Sequence, residues 1–423
     1  MRTLCRRNRD GSRRSRQRGA VMILFVIGMV AIIGMAGLAL DGGHAMLSKT
    51  RLQNTVDAAA LSAAKTLDET ADTGASQAAA LSMFADNASG DGNAELNEAY
   101  TSGALTVTVQ FSSTLNPFVP GSAPAAYVRV RALNFTLPVW FSRVLGITNK
   151  SVAASAVAGP SPTITEVCNV MPMMVCGDPD QQDNNWGYEI GTPDVLKSST
   201  TNGEFEVGPG NFQLIRLGDS QGGADIRTAM AGGFDQCMEL DDVIDTEPGN
   251  TVGPVVQGIN TRFGDYSGPM SGQQSQYPPD VVVTQPVPAL TYDSGTDQIM
   301  QNGEPLSDTN TISFDYDDYV SRVSASSFDY QPAPAGIGRF QRREAAVAIG
   351  DCTNTTSGQG QLPLLGWGCF FLLQEASQQG NESHVYGQFI DNCRAGGVPG
   401  PDPTVVPGPY IIQLYRDYNS SDS

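Results

Sequence analysis

The hydrophobic pattern changes character several times along the chain. From Gly19 to Leu40, "GAVMILFVIGMVAIIGMAGLAL", 22 residues pass without a charge. At about 1.5 Å per residue such a helix spans roughly 33 Å, enough to cross the hydrocarbon of a bilayer. The next stretch is periodic. Leu52, Val56, Ala59, Ala60, Ala63 and Leu67 recur on one face of a helix, and Thr50, Asn54, Asp57, Lys65 and Asp68 on the other. No proline interrupts the chain before Pro117, so the apolar helix either runs on into this second segment or bends at Gly42-Gly43. A second helical run, "SQAAALSMFADNAS", ends in turn chemistry near Gly90.

The period then drops to two. "ALTVTVQF" (104–111) and "AYVRVRAL" (126–133) alternate as half-buried, antiparallel strands, joined by an irregular loop holding Pro117, Pro120 and Pro124. "LPVWFSRVLGI" opens on Pro138 and ends at Gly146, the punctuation of a short helix. "SVAASAVAG" (151–159) reads as a third strand, and "GPSPT" (159–163) as a linker. Beyond it helical patterns are scarce. Strands are expected at 212–217, 280–287, 344–350, 368–375, 385–390 and 410–415, and a helix at 224–234. The expected fold is α+β: a transmembrane helix continuing into a long helix with a small pilin-like β domain, then a β-rich, disulfide-stapled ectodomain. The divisions are 1–18, 19–40, 41–159 and 160–423.

Charge gives this pattern a direction. Residues 1–18 hold eight arginines and one aspartate, whereas the whole chain carries −19. A basic head beside an apolar span is retained in the cytoplasm, which puts everything after Asp41 outside. An uncleaved, single-pass anchor is preferred over a secretory signal, whose apolar core is shorter. It is also preferred over a twin-arginine signal and over a prepilin leader cut after Gly19. The body is acidic, which excludes nucleic-acid binding for want of phosphate-neutralising cations. Six cysteines lie on the exterior side: Cys168, Cys176, Cys237, Cys352, Cys369 and Cys393. An even number in an oxidising compartment predicts up to three disulfides, with every connectivity open. None forms C-x-x-C and the chain has two histidines, which argues against zinc.

Residues 18–67 carry a more specific signal. Arg18-Gly19-Ala20, the apolar span, Asp41 with Gly43, and then Arg51-Leu52-Gln53 with Asp57-Ala58-Ala59-Ala60-Leu61 and Ala63-Ala64 form one string. It resembles the N-terminal segment of TadG-like proteins of the tight-adherence (Flp) pilus system. The region to about residue 158 is also similar to the small domain of TadE/TadG-type, pseudopilin-like proteins. The resemblance implies a bacterial inner-membrane assembly component with a periplasmic or exterior body. Its partners would be the membrane and other Tad/Flp pilus proteins or pseudopilins. Many such proteins carry a von Willebrand A domain with an Asp-x-Ser-x-Ser metal site. Here "GDSQGG" (218–223) and "DYSGP" (265–269) both depart from that pattern.

The remaining chemistry is sparse. Asp41 reads as an interfacial acid reaching water, or as a group that fixes depth or meets a partner helix, with Gly42 and Gly43 allowing close approach. The stripe Leu52, Val56, Ala59, Ala60, Ala63 and Leu67 reads as internal packing or as a seam for pilin-like helices. "GDPDQQDNN" (177–185) and "FDYDDY" (314–319) gather carboxylates without EF-hand spacing and are expected to be solvated loops. No G-x-S-x-G elbow accompanies His44 or His384. No catalytic residue, metal ligand or cofactor is assigned. The expected role is structural, with a ligand-binding adhesin or minor pilus component as the alternative, and an exported, membrane-anchored hydrolase as a second one.

Overall fold

The computed structural model describes residues 20–162, 164–197, 211–216, 222–232, 237–239, 243–296, 298–306, 312–353, 359–377, 383–399, 408–417 and 420. The basic head, Cys5 and Gly19 lie outside that set.

One helix, α1 (Ala20–Thr70), carries both the apolar run and the periodic segment. It passes through Gly42-Gly43 unbroken. Ala71 in the left-handed region (φ 52°) ends it. Asp72 then caps α2 (Thr73–Ala88) by accepting from the Gly74 and Ala75 amides. A short α3 (Ala94–Thr101) follows, which the sequence pattern did not indicate.

Three strands come next: β1 (Thr106–Ser112), β2 (Tyr127–Leu137) and β3 (Lys150–Pro160). β2 lies between the other two, antiparallel to both. The helix expected at 137–147 shrinks to one 3-10 turn, Ser142–Leu145, ended by Gly146 at φ 83°. The inner stripe of α1 packs on α2 and on this sheet. Val128, Val130, Ala132, Ala154, Ala156 and Ala158 come from the strands, and Ala80 and Phe84 from α2. Alanine faces alanine across the layer, so helix and sheet approach closely. Burying Leu52, Val56 and Leu67 contributes about 1.5–3 kcal/mol each.

The remainder is β-rich. Its main sheet joins β5 (Met174–Gly177), β13 (Glu344–Asp351), β14 (Gln361–Leu372), β15 (Val385–Ile390) and β6 (Pro193–Lys197) in that order. β9 (Val243–Pro248) pairs with both β14 and β7 (Asn211–Ile215). One face packs on Phe371, Trp367 and Tyr319, the other on Phe370, Phe389 and Val255. A smaller sheet sets β17 (Gly396–Pro399), β4 (Ile164–Cys168) and β8 (Cys237–Glu239) side by side. β16 (Asn392–Arg394) pairs with β18 (Gly408–Tyr410), and β10 (Thr291–Asp293), β11 (Gln298–Gln301) and β12 (Glu304–Pro305) form a small meander. Helices α4 (Gly223–Met230), α5 (Val252–Asn260) and α6 (Tyr316–Ser324) complete it. The last strand, β19 (Ile412–Tyr415), returns to the N-terminal sheet and pairs antiparallel with β3.

Three disulfides tie this part: Cys168–Cys237, Cys176–Cys352 and Cys369–Cys393. The first links facing residues of β4 and β8.

Two further expectations are corrected. "DVVVTQPV" (280–287) is not a strand; Asp280 alone makes an isolated bridge, to Arg339. The fully buried Arg343 guanidinium donates to the Val282 and Thr284 carbonyls, and Asp280 accepts from the Val282 and Arg343 amides. Side chains thereby take the backbone groups a ladder would use. "FDYDDY" (314–319) is not a solvated loop. Asp315 and Asp318 form a capping box that starts α6, and Tyr319 is buried.

Candidate functional site

Along α1 from Met22 to Leu40 the side chains stand exposed, except for half-buried Gly34 and buried Gly37. A helix this long, apolar on every side and so little covered by the described residues fits a membrane anchor. Past Asp41 the same helix becomes the core of a folded unit, so the site of interest is the transition.

Asp41 is buried there. Its Oδ1 accepts from the Trp140 amide (3.3 Å), and its Oδ2 from the Phe141 amide (3.1 Å), the Ser142 amide (2.7 Å) and the Ser142 hydroxyl (2.6 Å). Those donors, the Ser142 hydroxyl foremost, hold the carboxyl below its ordinary range. Four donors around one carboxylate make an anion nest from the turn after β2. Gly37 makes the approach possible: a Cβ there would sit 2.5 Å from that of Phe141. The Trp140 ring lies 4.7 Å from the His44 imidazole, whose Nε2 pairs with Glu95 at 2.8 Å. The residues that clasp Asp41 lie a hundred positions away, and the only sequence signal for them was the Pro138–Gly146 punctuation.

The other singled-out positions divide. Leu52, Val56, Ala59, Ala60, Ala63 and Leu67 are all buried against the chain's own sheet and α2. Gly42 and Gly43 face open space, with nothing within 4 Å of an added Cβ.

The far end of α1 meets the β-rich part. Asp68 accepts from the Tyr410 hydroxyl and from Gln341 Nε2 at 3.1 Å, and Arg394 pairs with Glu69 at 2.9 Å. Glu344 accepts from the Tyr316 hydroxyl at 3.2 Å. Burial, with Asp68 and Asp280 nearby, pushes Glu344 up to about 8, and burial raises Asp68 as well. Asp68, Glu69, Tyr316, Gln341, Glu344 and Tyr410 border a cleft of about 240 Å³. This junction was not foreseen, because Asp68 read only as part of a polar face.

Other chemical groups are committed to structure. Lys197 and Ser383 lie 3.2 Å apart, but both are sealed from solvent, and burial lowers the amine to about 8. Glu166, Cys168 and Cys237 cluster with metal-ligand spacing, yet the two sulfurs are joined to each other. Carboxylates in 177–185 sit on an exposed 3-10 segment capped by Asp178. The "GDSQGG" run lies outside the described residues apart from its last two glycines.

Residues 19–66 match the family model for Flp pilus-assembly proteins of the TadE/G-like type, and residues 62–158 match the Tad-like Flp pilus-assembly model. No curated protein and no solved structure matches the chain. The two matched regions run from the start of the apolar helix through β3. They define a structural component of a pilus-assembly apparatus, and the bare half of α1 fits its membrane anchor. Within that class the matched third of the chain, residues 19–158, supports a TadG-like protein of the Tad/Flp system.

Proposed function

We propose that this chain crosses the inner membrane once, with residues 1–18 in the cytoplasm and 41–423 in the periplasm or beyond, and acts by scaffolding without catalysis. The arginine head supports the orientation. The observation that carries the scaffold reading is the single uninterrupted helix, bare to lipid in its first half and the core of a folded sheet unit in its second. A long helix laid on an antiparallel sheet is a pilin-like arrangement. It would let the chain stand among other Tad/Flp components or pseudopilins. With the stripe at 52–67 covered from within, the assembly contacts on α1 fall to the exposed span and to Gly42 and Gly43. The stripe serves assembly by holding the sheet unit in place behind them.

Replacing residues 22–36 by an unrelated Leu/Ala helix of equal length tests this. Membrane insertion should persist while piliation is lost; normal piliation would reduce α1 to an anchor. Fractionation addresses the adhesin alternative, which the separately cored, disulfide-tied outer part favours. Protein confined to the inner membrane supports the scaffold. Protein recovered in sheared pili supports the adhesin.

A further inference from the structure

We infer that the turn Pro138–Ile147 is a second membrane contact, seated in the headgroup layer of the same bilayer leaflet through which α1 emerges. This rests on the reading that residues 20–40 of α1 span the membrane. Three of its apolar side chains are turned outward: Trp140, Phe141 and Ile147 are 53 %, 45 % and 43 % exposed. Exposed aromatic residues are common singly, but their depth here is set by contact with the span itself. Phe141 packs on Gly37, four residues before Asp41, and Trp140 packs beside His44, three residues past it. Along a helix axis, seven residues cover about 10 Å. That distance resembles the thickness of one headgroup layer, the difference between a hydrocarbon core of about 30 Å and a whole bilayer of about 40–45 Å. A turn held between those two levels has no water-filled space of its own to occupy.

Neighbouring features agree. The outward apolar surface of α1 does not stop at Asp41, for Met46 and Leu47 are also exposed, and Lys49 is the first cation after them. Tryptophan at this depth has an apolar body and a polar edge, which is why it collects at bilayer interfaces. The segment 137–159 contains Arg143 and Lys150, both exposed, and no acid, in a chain that is otherwise strongly acidic. Cations there suit anionic lipid phosphates. Of the two acids near this level, Glu95 is paired with His44, and Asp41 is given four internal donors, so it needs no water from the lipid side.

The test uses the full chain reconstituted into phosphatidylethanolamine/phosphatidylglycerol vesicles carrying acyl chains brominated at carbons 6 and 7. Tryptophan emission reports contact, and there are three tryptophans. Trp367 is buried on one face of the main sheet of the β-rich part, and Trp186 is half-buried against the cluster on its other face. The brominated lipid should quench a fraction of the wild-type emission, and Trp140→Phe should cut the quenchable fraction at least twofold while the other emission remains. Equal quenching in both proteins overturns the inference, as does an unquenched wild type in vesicles that float with bound protein. The latter result would assign the turn to a protein partner. Failure of the protein to float with vesicles would overturn the span reading, and the seat of the turn with it.

Discussion

Asp417→Ala is expected to loosen the N-terminal sheet from the far end of the chain. Arg129 on β2 is buried, with its Nε and one terminal nitrogen donating to Gln110 Oε1 at 3.0 and 2.7 Å and its plane 4.3 Å over Phe118. Its counter-charge is Asp417, at 3.6 Å, just beyond β19, and Asp417 also accepts from the Ser155 hydroxyl of β3 at 2.5 Å. Both side chains are almost wholly buried. Breaking such a pair from one side costs about 3–5 kcal/mol, because the remaining charge stays buried. Gln110 still solvates the guanidinium, which places this case near the lower end, about 3 kcal/mol. At about 1.4 kcal/mol per decade that is a change of roughly 100-fold in the opening equilibrium. Hydrogen exchange resolved by peptide is the suitable assay, since a multi-part chain lacks a single melting transition. Amides of residues 150–160 should exchange about 100-fold faster in the variant. Replacing both partners, Arg129→Met with Asp417→Leu, should restore most of the protection. Two results would refute the reasoning: unchanged exchange in 150–160 while 412–417 frays alone, or a double variant as labile as the single one.

The junction at the end of α1 should weaken with rising pH. Glu344 titrates near 8 in the folded chain against an ordinary 4.5, so its contribution is intact below about 4.5 and is lost as pH climbs through 8. Asp68 is shifted in the same sense. Proteolytic resistance measured from pH 5 to 9 should fall more steeply in wild type than in Glu344→Gln, and parallel curves would dismiss Glu344 as the source. Gly37→Leu should drive the Phe141 turn off α1, because its first side-chain carbon meets Phe141 at 2.5 Å. Acrylamide quenching of Trp140 in detergent should then at least double, and no change would mean that the turn is held by something other than that contact. Reduction should open the β-rich part first. The three bridges close loops of 69, 176 and 24 residues, worth about 3–5 kcal/mol each in the chain-entropy account. Under dithiothreitol a protease should leave a fragment covering α1 to β3 longest; equal loss of both parts would refute that order.

Local order is what the sequence made legible. The apolar run, the i, i+4, i+7 stripe and the alternation in 104–111 and 126–133 each stem from contacts that repeat at a fixed spacing. The structure places α1, β1 and β2 there. The same logic found β13, β15 and the C-terminal part of β14. It misled at 280–287, where three consecutive valines have the composition of a strand but Arg343, sixty residues on, claims the carbonyls of Val282 and Thr284. It also missed α6, though Asp315 and Asp318 stand at capping-box spacing, because the carboxylates drew attention as possible ligands and not as helix starters. Nothing local marks Ser142 as Asp41's partner, or Asp417 as the counter-ion of Arg129. Nor does spacing choose among the disulfide pairings. Those are products of the finished fold.

The pairing of β3 with β19 has a mechanical consequence. Ile412 lies opposite Pro160, so the two strands leave the sheet side by side and the whole outer body hangs between them. Apart from the Asp68 and Glu69 contacts at the end of α1, a pull on that body reaches the sheet through two tethers acting in the same direction. The bonds between β3 and β19 then experience no sliding, and the load passes to β2 and to α1 beneath. From there it runs along an unbroken helix into the bilayer. Cutting one tether, by cleaving within residues 400–407, should lower the unfolding force in single-molecule pulling. With both tethers intact, the chain is built as a load path from the β-rich body to the apolar helix.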